Sequence, residues 1–167
     1  MKKLIFLCVF AIGTVSCLHN TSPSTTSAYK PILMDRKSLA NSIKFEAAKD
    51  LNKPGKICIS GNFMYVTEPF SGVHVFNNTD PTKPINTGFI TVPGIQTISI
   101  KNNTLFADNS TDLLAINITN PTVPIVSTRL ENIMPWPGVP DNLPLDTPVS
   151  QLNWPANAVV VGWEGLK

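Results

Sequence analysis

Two ten-residue stretches decide the fold: FNNTDPTKPI at 76–85 and INITNPTVPI at 116–125, one pattern written twice, 40 residues apart. Upstream, ICISGN at 57–62 falls on ISIKNN at 98–103 at an offset of 41, so one residue is lost between the two anchors. In each copy the apolar alternation stops at an Asn, and an Asp-Pro or Asn-Pro step follows three residues later. A residue before proline is pushed out of the helical region, and an Asp or Asn side chain there can accept a bond from the backbone two residues on. Each copy therefore carries a tight turn between two strands.

Around that turn each copy divides into four strands. The first copy predicts 56–60, 63–67, 73–77 and 86–92, and the second predicts 97–101, 104–108, 113–118 and 125–130. Aromatic and β-branched residues such as Phe63 and Tyr65 suit a pleated surface. Gly61-Asn62 and Asn102-Asn103 supply the residues that tolerate positive φ at the first hairpin of each copy. Four short strands per unit at a period near 40 is the mark of a propeller blade rather than of a helical repeat. The expected fold is all-β: two four-stranded β-propeller-type blades, 55–94 and 95–132, in an open or truncated propeller. The alternative is a sandwich.

Composition narrows the function classes. The chain of 167 residues is 43% apolar and 14% charged, which fits a globular or envelope protein and excludes general disorder. Setting aside Lys2 and Lys3 leaves 11 of the 13 basic residues against 11 acidic ones. Nucleic-acid binding needs a concentrated basic face to displace counterions, and no such cluster is present in the sequence. The three cysteines form no disulfide framework or paired metal motif. Cys58 sits in an alternating strand as a small buried hydrophobe, with a Cys17–Cys58 bridge open only to an unmodified Cys17.

The amino terminus reads as an address. Lys2 and Lys3 precede the nine-residue apolar run LIFLCVFAI (4–12), and Gly13, Thr14 and Ser16 follow just before Cys17. Roughly 20 apolar residues are needed to cross a hydrocarbon core, so 1–16 is a signal peptide rather than a permanent span. The Ser16-Cys17 junction resembles a bacterial lipoprotein signal, which implies acylation of Cys17 as the new amino terminus. The Leu usual three residues before that cysteine is Thr14 here, and secretion with a free Cys17 is the alternative. Residues 21–27 (TSPSTTS) cannot bury apolar surface and read as a flexible spacer, so 17–34 is lipid attachment and tether. In the lead-in 35–54, Asp35 caps a predicted short helix over 36–43, with Leu39 and Ile43 on one face.

The strand-and-turn signature GVHVFNNTDPTKP (72–84), repeated as DLLAINITNPTVP (112–124), resembles the LVIVD-type repeat of bacterial and archaeal surface proteins. Where that pattern favours Asp at the strand end, this chain has Asn77 and Asn117, which keep the turn acceptor. The resemblance spans both copies and implies β-propeller blades on an envelope-anchored protein, with no enzymatic activity attached to the repeat itself.

Beyond the second copy, 133–167 holds a proline-rich segment with six prolines in 134–155, followed by a strand pattern at 158–163. Propellers close with four to eight blades, so two clear blades lead to the expectation that further blades are missing, with open blade edges free for self-association. The alternative is a small complete domain whose tail folds back over the sheet.

Candidate chemistry is sparse. His19 and His74 are the two histidines, one in the tether and one inside a strand, too few for a histidine metal site or a serine relay. Glu68 and the pair Asp108 and Asp112 occupy corresponding loops between the second and third strands of the two blades, with Phe70 as a possible contact residue beside Glu68. Loops in register lie on one face of a propeller, so Glu68, Phe70, Asp108 and Asp112 form a candidate binding face for a cation, sugar or peptide. A solvated hairpin turn is the plainer account. No cofactor or metal is expected, since the spacing fits no calcium loop. The functional expectation is a non-enzymatic binding or scaffold module lipid-anchored in the bacterial cell envelope, with the membrane and an unknown protein or glycan ligand as partners and no nucleic acid. The alternative is a fragment of a propeller hydrolase or lyase that uses the same loops.

Overall fold

The computed structural model describes residues 26–147 and 154–166. The predicted signal peptide, Cys17 and the spacer up to residue 25 lie outside the described residues. Within them the chain is predominantly β, with three antiparallel sheets and one short helix.

The first copy of the repeat forms a meander of β3 (Ile57–Ser60), β4 (Phe63–Glu68), β5 (Gly72–Asn77) and β6 (Ile85–Thr91). The second forms β7 (Ile98–Lys101), β8 (Thr104–Asn109), β9 (Asp112–Asn117) and β10 (Ile125–Leu130), a separate four-stranded sheet. Strand limits agree with the expected ones to within one residue, and the turns after β5 and β9 are held by side-chain bonds of their own. Asn77 Oδ1 accepts from Thr79 N at 3.0 Å and Asn117 Oδ1 from Thr119 N at 2.9 Å. Asp80 Oδ1 accepts from the backbone N–H and hydroxyl of Thr82 at 2.9 and 2.7 Å, and Asn120 Oδ1 does the same with Thr122 at 3.1 and 2.8 Å. These two turns are thus duplicated hydrogen bond by hydrogen bond. At the first hairpins Gly61 takes φ 55°, and Asn102 and Asn103 take φ 48° and 58°, as turns of this kind require.

Elements outside the repeats depart from expectation. The helix α1 stops at Ala40 (Arg36–Ala40) instead of reaching Ile43, although Asp35 caps it as predicted, accepting from Ser38 N at 3.0 Å. The following residues are recruited as β2 (Lys44–Glu46), which pairs with β6 and makes the first sheet five-stranded, in the order β2-β6-β5-β4-β3. A ladder bond per residue and burial of Phe45 against the core outweigh one more helical turn. Tyr29–Asp35, assigned from sequence to the tether and lead-in, form strand β1, and Ser27 is buried with its hydroxyl on Asp141 Oδ2 at 3.1 Å. The strand pattern near the carboxyl end forms β11 (Ala158–Gly165), and it does not present the open edge expected of it on that side. It pairs antiparallel with β1, from Tyr29↔Gly165 to Asp35↔Ala158. Val159 and Val161 pack with Leu39 and Met34 in a small second core. Among the described residues, no helix is long and apolar enough to cross a membrane.

The main core lies between the two repeat sheets. Tyr65, Val73, Val75 and Ile90 of the five-stranded sheet meet Ile98, Leu105, Leu114 and Ile116 of the four-stranded sheet. Strands β3 and β7 run side by side, and the Cys58 thiol lies 3.7 Å from the carbonyl of Ile98. Side chains alternate across a strand, so these residues fix which face of each sheet is buried. In the first sheet it is the face of Tyr65. In the second it is the face of Leu105, whose counterpart by repeat position is Met64, on the opposite face of the first sheet.

Candidate functional site

The β4–β5 hairpin carries two of the predicted contact residues to a cleft, Glu68 from the end of β4 rather than from the loop where it was expected, and Phe70 from the loop itself. Glu68 ends β4, Pro69, Phe70 and Ser71 turn the chain, and Gly72 starts β5. Phe70 stands at φ 67°, in the left-handed region where a bulky side chain is strained. Its backbone is held there from both sides: Phe70 N donates to Ile95 O at 2.6 Å, and Gly94 N donates to Phe70 O at 3.0 Å. A Cβ on Gly162 would lie 3.5 Å from Phe70 Cβ, so β11 passes close against the loop.

Between this loop and the β1–β11 sheet lies a cleft of about 540 Å³, whose wall includes Glu68, Phe70, Ile32, Met34, Lys53 and Trp163. It presents aromatic and aliphatic surface with one carboxylate and one ammonium, the composition of a small-ligand or peptide site. The carboxylate is braced from behind. Glu68 Oε2 lies 2.8 Å from Nε2 of His74, which is fully buried and meets the Phe89 ring edge-on at 4.8 Å. Because a carboxylate only accepts, Nε2 carries the proton, and the buried Nδ1 has no partner among the described residues.

The two aspartates do not join Glu68 and Phe70. Asp108 is 8% exposed, and its carboxylate accepts from Gln96 N at 3.0 Å and Thr97 N at 2.8 Å. Its repeat counterpart, Thr67, does the same service for the first sheet, accepting from Lys56 N at 2.7 Å. Both residues clamp the lead-in to the first strand of their sheet. Burial raises the Asp108 pKa above the usual carboxylate value, and the two backbone N–H groups offset part of that rise. Asp108 borders a separate cleft of about 310 Å³, lined also by Met134 and Trp136.

Asp112 is buried in an ion cluster. Its Oδ1 accepts from Arg36 Nη1 at 2.9 Å and from Asn132 N at 3.1 Å, and its Oδ2 accepts from Arg129 Nη1 at 2.7 Å. Arg129 also donates to Asn109 Oδ1 at 2.8 Å, and Arg36 to Thr111 Oγ1 at 3.0 Å and to Asn132 Oδ1. Burial pushes the Asp112 pKa up, but the two guanidinium groups and the Asn132 N–H more than reverse this and hold it below the usual range. The cluster ties α1 to the four-stranded sheet. It was not foreseen from sequence, although a signal existed: Gly72 and Phe89 of the first copy are replaced by Asp112 and Arg129 in the second, two opposite charges arriving together.

Also missed were Ile32, Met34 and Trp163, which belong to segments whose pairing is nonlocal. Trp136 and Trp154 meet edge-on at 5.5 Å. Among the described residues, no group of three His, Cys, Asp or Glu side chains could hold a metal ion. Comparison with known proteins returns no matching family model, no matching curated protein and no matching solved structure.

Proposed function

We propose that this chain is a cell-envelope lipoprotein whose β-propeller-type repeats, of the LVIVD kind, serve as a binding or scaffold module. The observation that carries the reading is the cleft shared by Glu68 and Phe70. A strained aromatic and a braced carboxylate are held at the same end of a rigid duplicated sheet, and strain of this kind persists where the surroundings impose it and function uses it. The duplicated Asp-Pro and Asn-Pro turns support the repeat assignment, and the Lys2-Lys3, apolar-run and Ser16-Cys17 pattern supports the anchor. The partners that follow are the membrane, through Cys17, and a protein or glycan ligand in the cleft.

Two measurements test the reading. Cys17→Ala is expected to move the protein from the membrane fraction to the soluble one and to abolish incorporation of labelled fatty acid. A variant that stays membrane-bound, with no label in the wild type, refutes the anchor. Screening the purified protein against glycan and peptide arrays should yield ligands whose affinity drops at least about tenfold in Phe70→Ala and in Glu68→Gln. Ligands indifferent to both changes place binding elsewhere. The Glu68–His74 pair favours a second reading, a hydrolase or lyase with Glu68 as acid–base group; turnover of a bound ligand that disappears in Glu68→Gln would establish it.

A further inference from the structure

The cleft of about 310 Å³ beside Asp108 has a wall unlike that of the larger one: it combines Gln96, Thr97 and Asp108 with Met134, Trp136 and Pro137. Trp136 is 44% exposed, more than is usual for so large a ring. What holds it there is rigid. Pro135 and Pro137 fix the backbone on either side of it, and Met134 N donates to Thr111 O at 2.9 Å, which ties the segment to the β8–β9 hairpin. The contact with Trp154 is edge-on, so it occupies at most one face of the Trp136 ring and leaves the other to a ligand. Asp108 supplies a fixed acceptor on the same wall. Its Oδ1 accepts from Gln96 N at 3.0 Å and Thr97 N at 2.8 Å, and its Oδ2 accepts only from Gln96 N, at 3.0 Å. An ionised carboxylate has about four lone-pair sites, so Oδ2 keeps one open. A guanidinium would need both oxygens as a fork, which the backbone N–H groups already hold, whereas a hydroxyl needs one. No Lys or Arg belongs to this wall, so nothing there balances an anion.

We propose that this cleft binds a neutral pyranose sugar, which stacks on Trp136 and donates one hydroxyl to Asp108. The C–H groups on one face of an equatorially substituted ring, such as β-1,4-linked glucose, are apolar and slightly positive, and they meet the negative face of an indole. Gln96 and Thr97, both exposed at the rim, offer amide and hydroxyl groups to the remaining sugar hydroxyls. A cleft of this volume, at the small end of the range for small ligands, suits a short saccharide rather than a folded partner. The site is separate from the Glu68–Phe70 cleft, and it stands without the anchor and without any ligand there.

The test is calorimetric titration of the full chain carrying Cys17→Ala with cellotetraose, chitotetraose and β-1,4-galactotetraose. At least one should bind with a Kd at or below about 1 mM. Trp136→Ala should weaken that binding at least about tenfold, and Trp136→Phe, which keeps a smaller platform, should weaken it less. Gln96→Ala changes an exposed side chain at the rim and should weaken it several-fold, with an unchanged melting temperature. Absence of saturable binding by all three sugars overturns the proposal. It is equally overturned if the bound sugar is indifferent to Trp136→Ala, or if Phe70→Ala removes binding while Trp136→Ala does not, which puts the sugar in the other cleft. Choline or a polyproline peptide that binds only while Trp136 is present, where the sugars fail, would give the cleft to a cation or a peptide instead.

Discussion

Replacing Asp112 by Ala is expected to lower stability by about 3–5 kcal/mol, because it leaves two guanidinium groups facing each other with no carboxylate between them. The loss should appear as a drop in melting temperature of roughly 10–15 °C in a two-state melt. The cause is the uncompensated charge and not the deleted contact as such. The double variant Asp112→Gly with Arg129→Phe copies the pair that the first sheet uses, Gly72 and Phe89, and should therefore recover part of the loss. Acid titration gives the second readout. The Asp112 pKa is lowered in the folded state, so its contribution is complete above the unfolded value near 3.8 and fades as pH falls through the lowered folded value. Asp108 acts in the opposite direction: its folded pKa is raised, so its ionisation erodes stability as pH climbs from about 3.8 through the raised value. Asp112→Ala should flatten the acid limb of the stability profile. An Asp112→Ala protein that melts within about 2 °C of the parent would mean that the cluster is solvated and carries little.

The other large effect is expected at Gly72. A Cβ there would lie 2.2 Å from the Ile90 carbonyl oxygen and 2.6 and 2.7 Å from atoms of the Phe89 ring. Neither neighbour can yield cheaply. The carbonyl belongs to β6, an interior strand paired on both sides, and the ring is buried edge-on to His74. Gly72→Ala should therefore cost on the order of 3 kcal/mol by forcing β5 and β6 apart. Gly61 provides the contrast: a Cβ there meets nothing within 4 Å, and its φ of 55° is the sole obstacle. Gly61→Ala should cost only about 1 kcal/mol. Comparable melting temperatures for the two variants would show that the β5–β6 approach is looser than described.

The repeat strands were legible in the sequence because everything that shapes them is local. Alternation sets the faces, Asn77 and Asn117 end the third strands, and Asp80-Pro81 and Asn120-Pro121 write their own turns with bonds spanning two residues. A local cause survives whatever the rest of the chain does. Phe70 was legible as a loop residue for the same reason, whereas Glu68, expected in that loop, is the last residue of β4; the cleft around them was not legible, since its other wall comes from β1 and β11, far apart in the chain. The same physics hid the fate of the carboxylates: from sequence, Asp108 and Asp112 are loop acids like Glu68. Only packing decides that one clamps Gln96 and Thr97 and the other neutralises Arg36 and Arg129. Local pattern was enough for the eight repeat strands and their turns, but not for the face each sheet buries, since Tyr65 is buried and its repeat counterpart Phe106 is not. The tertiary structure alone decided the shortened helix, the β1–β11 pair and the ion cluster, because each rests on partners tens of residues away that no local pattern encodes.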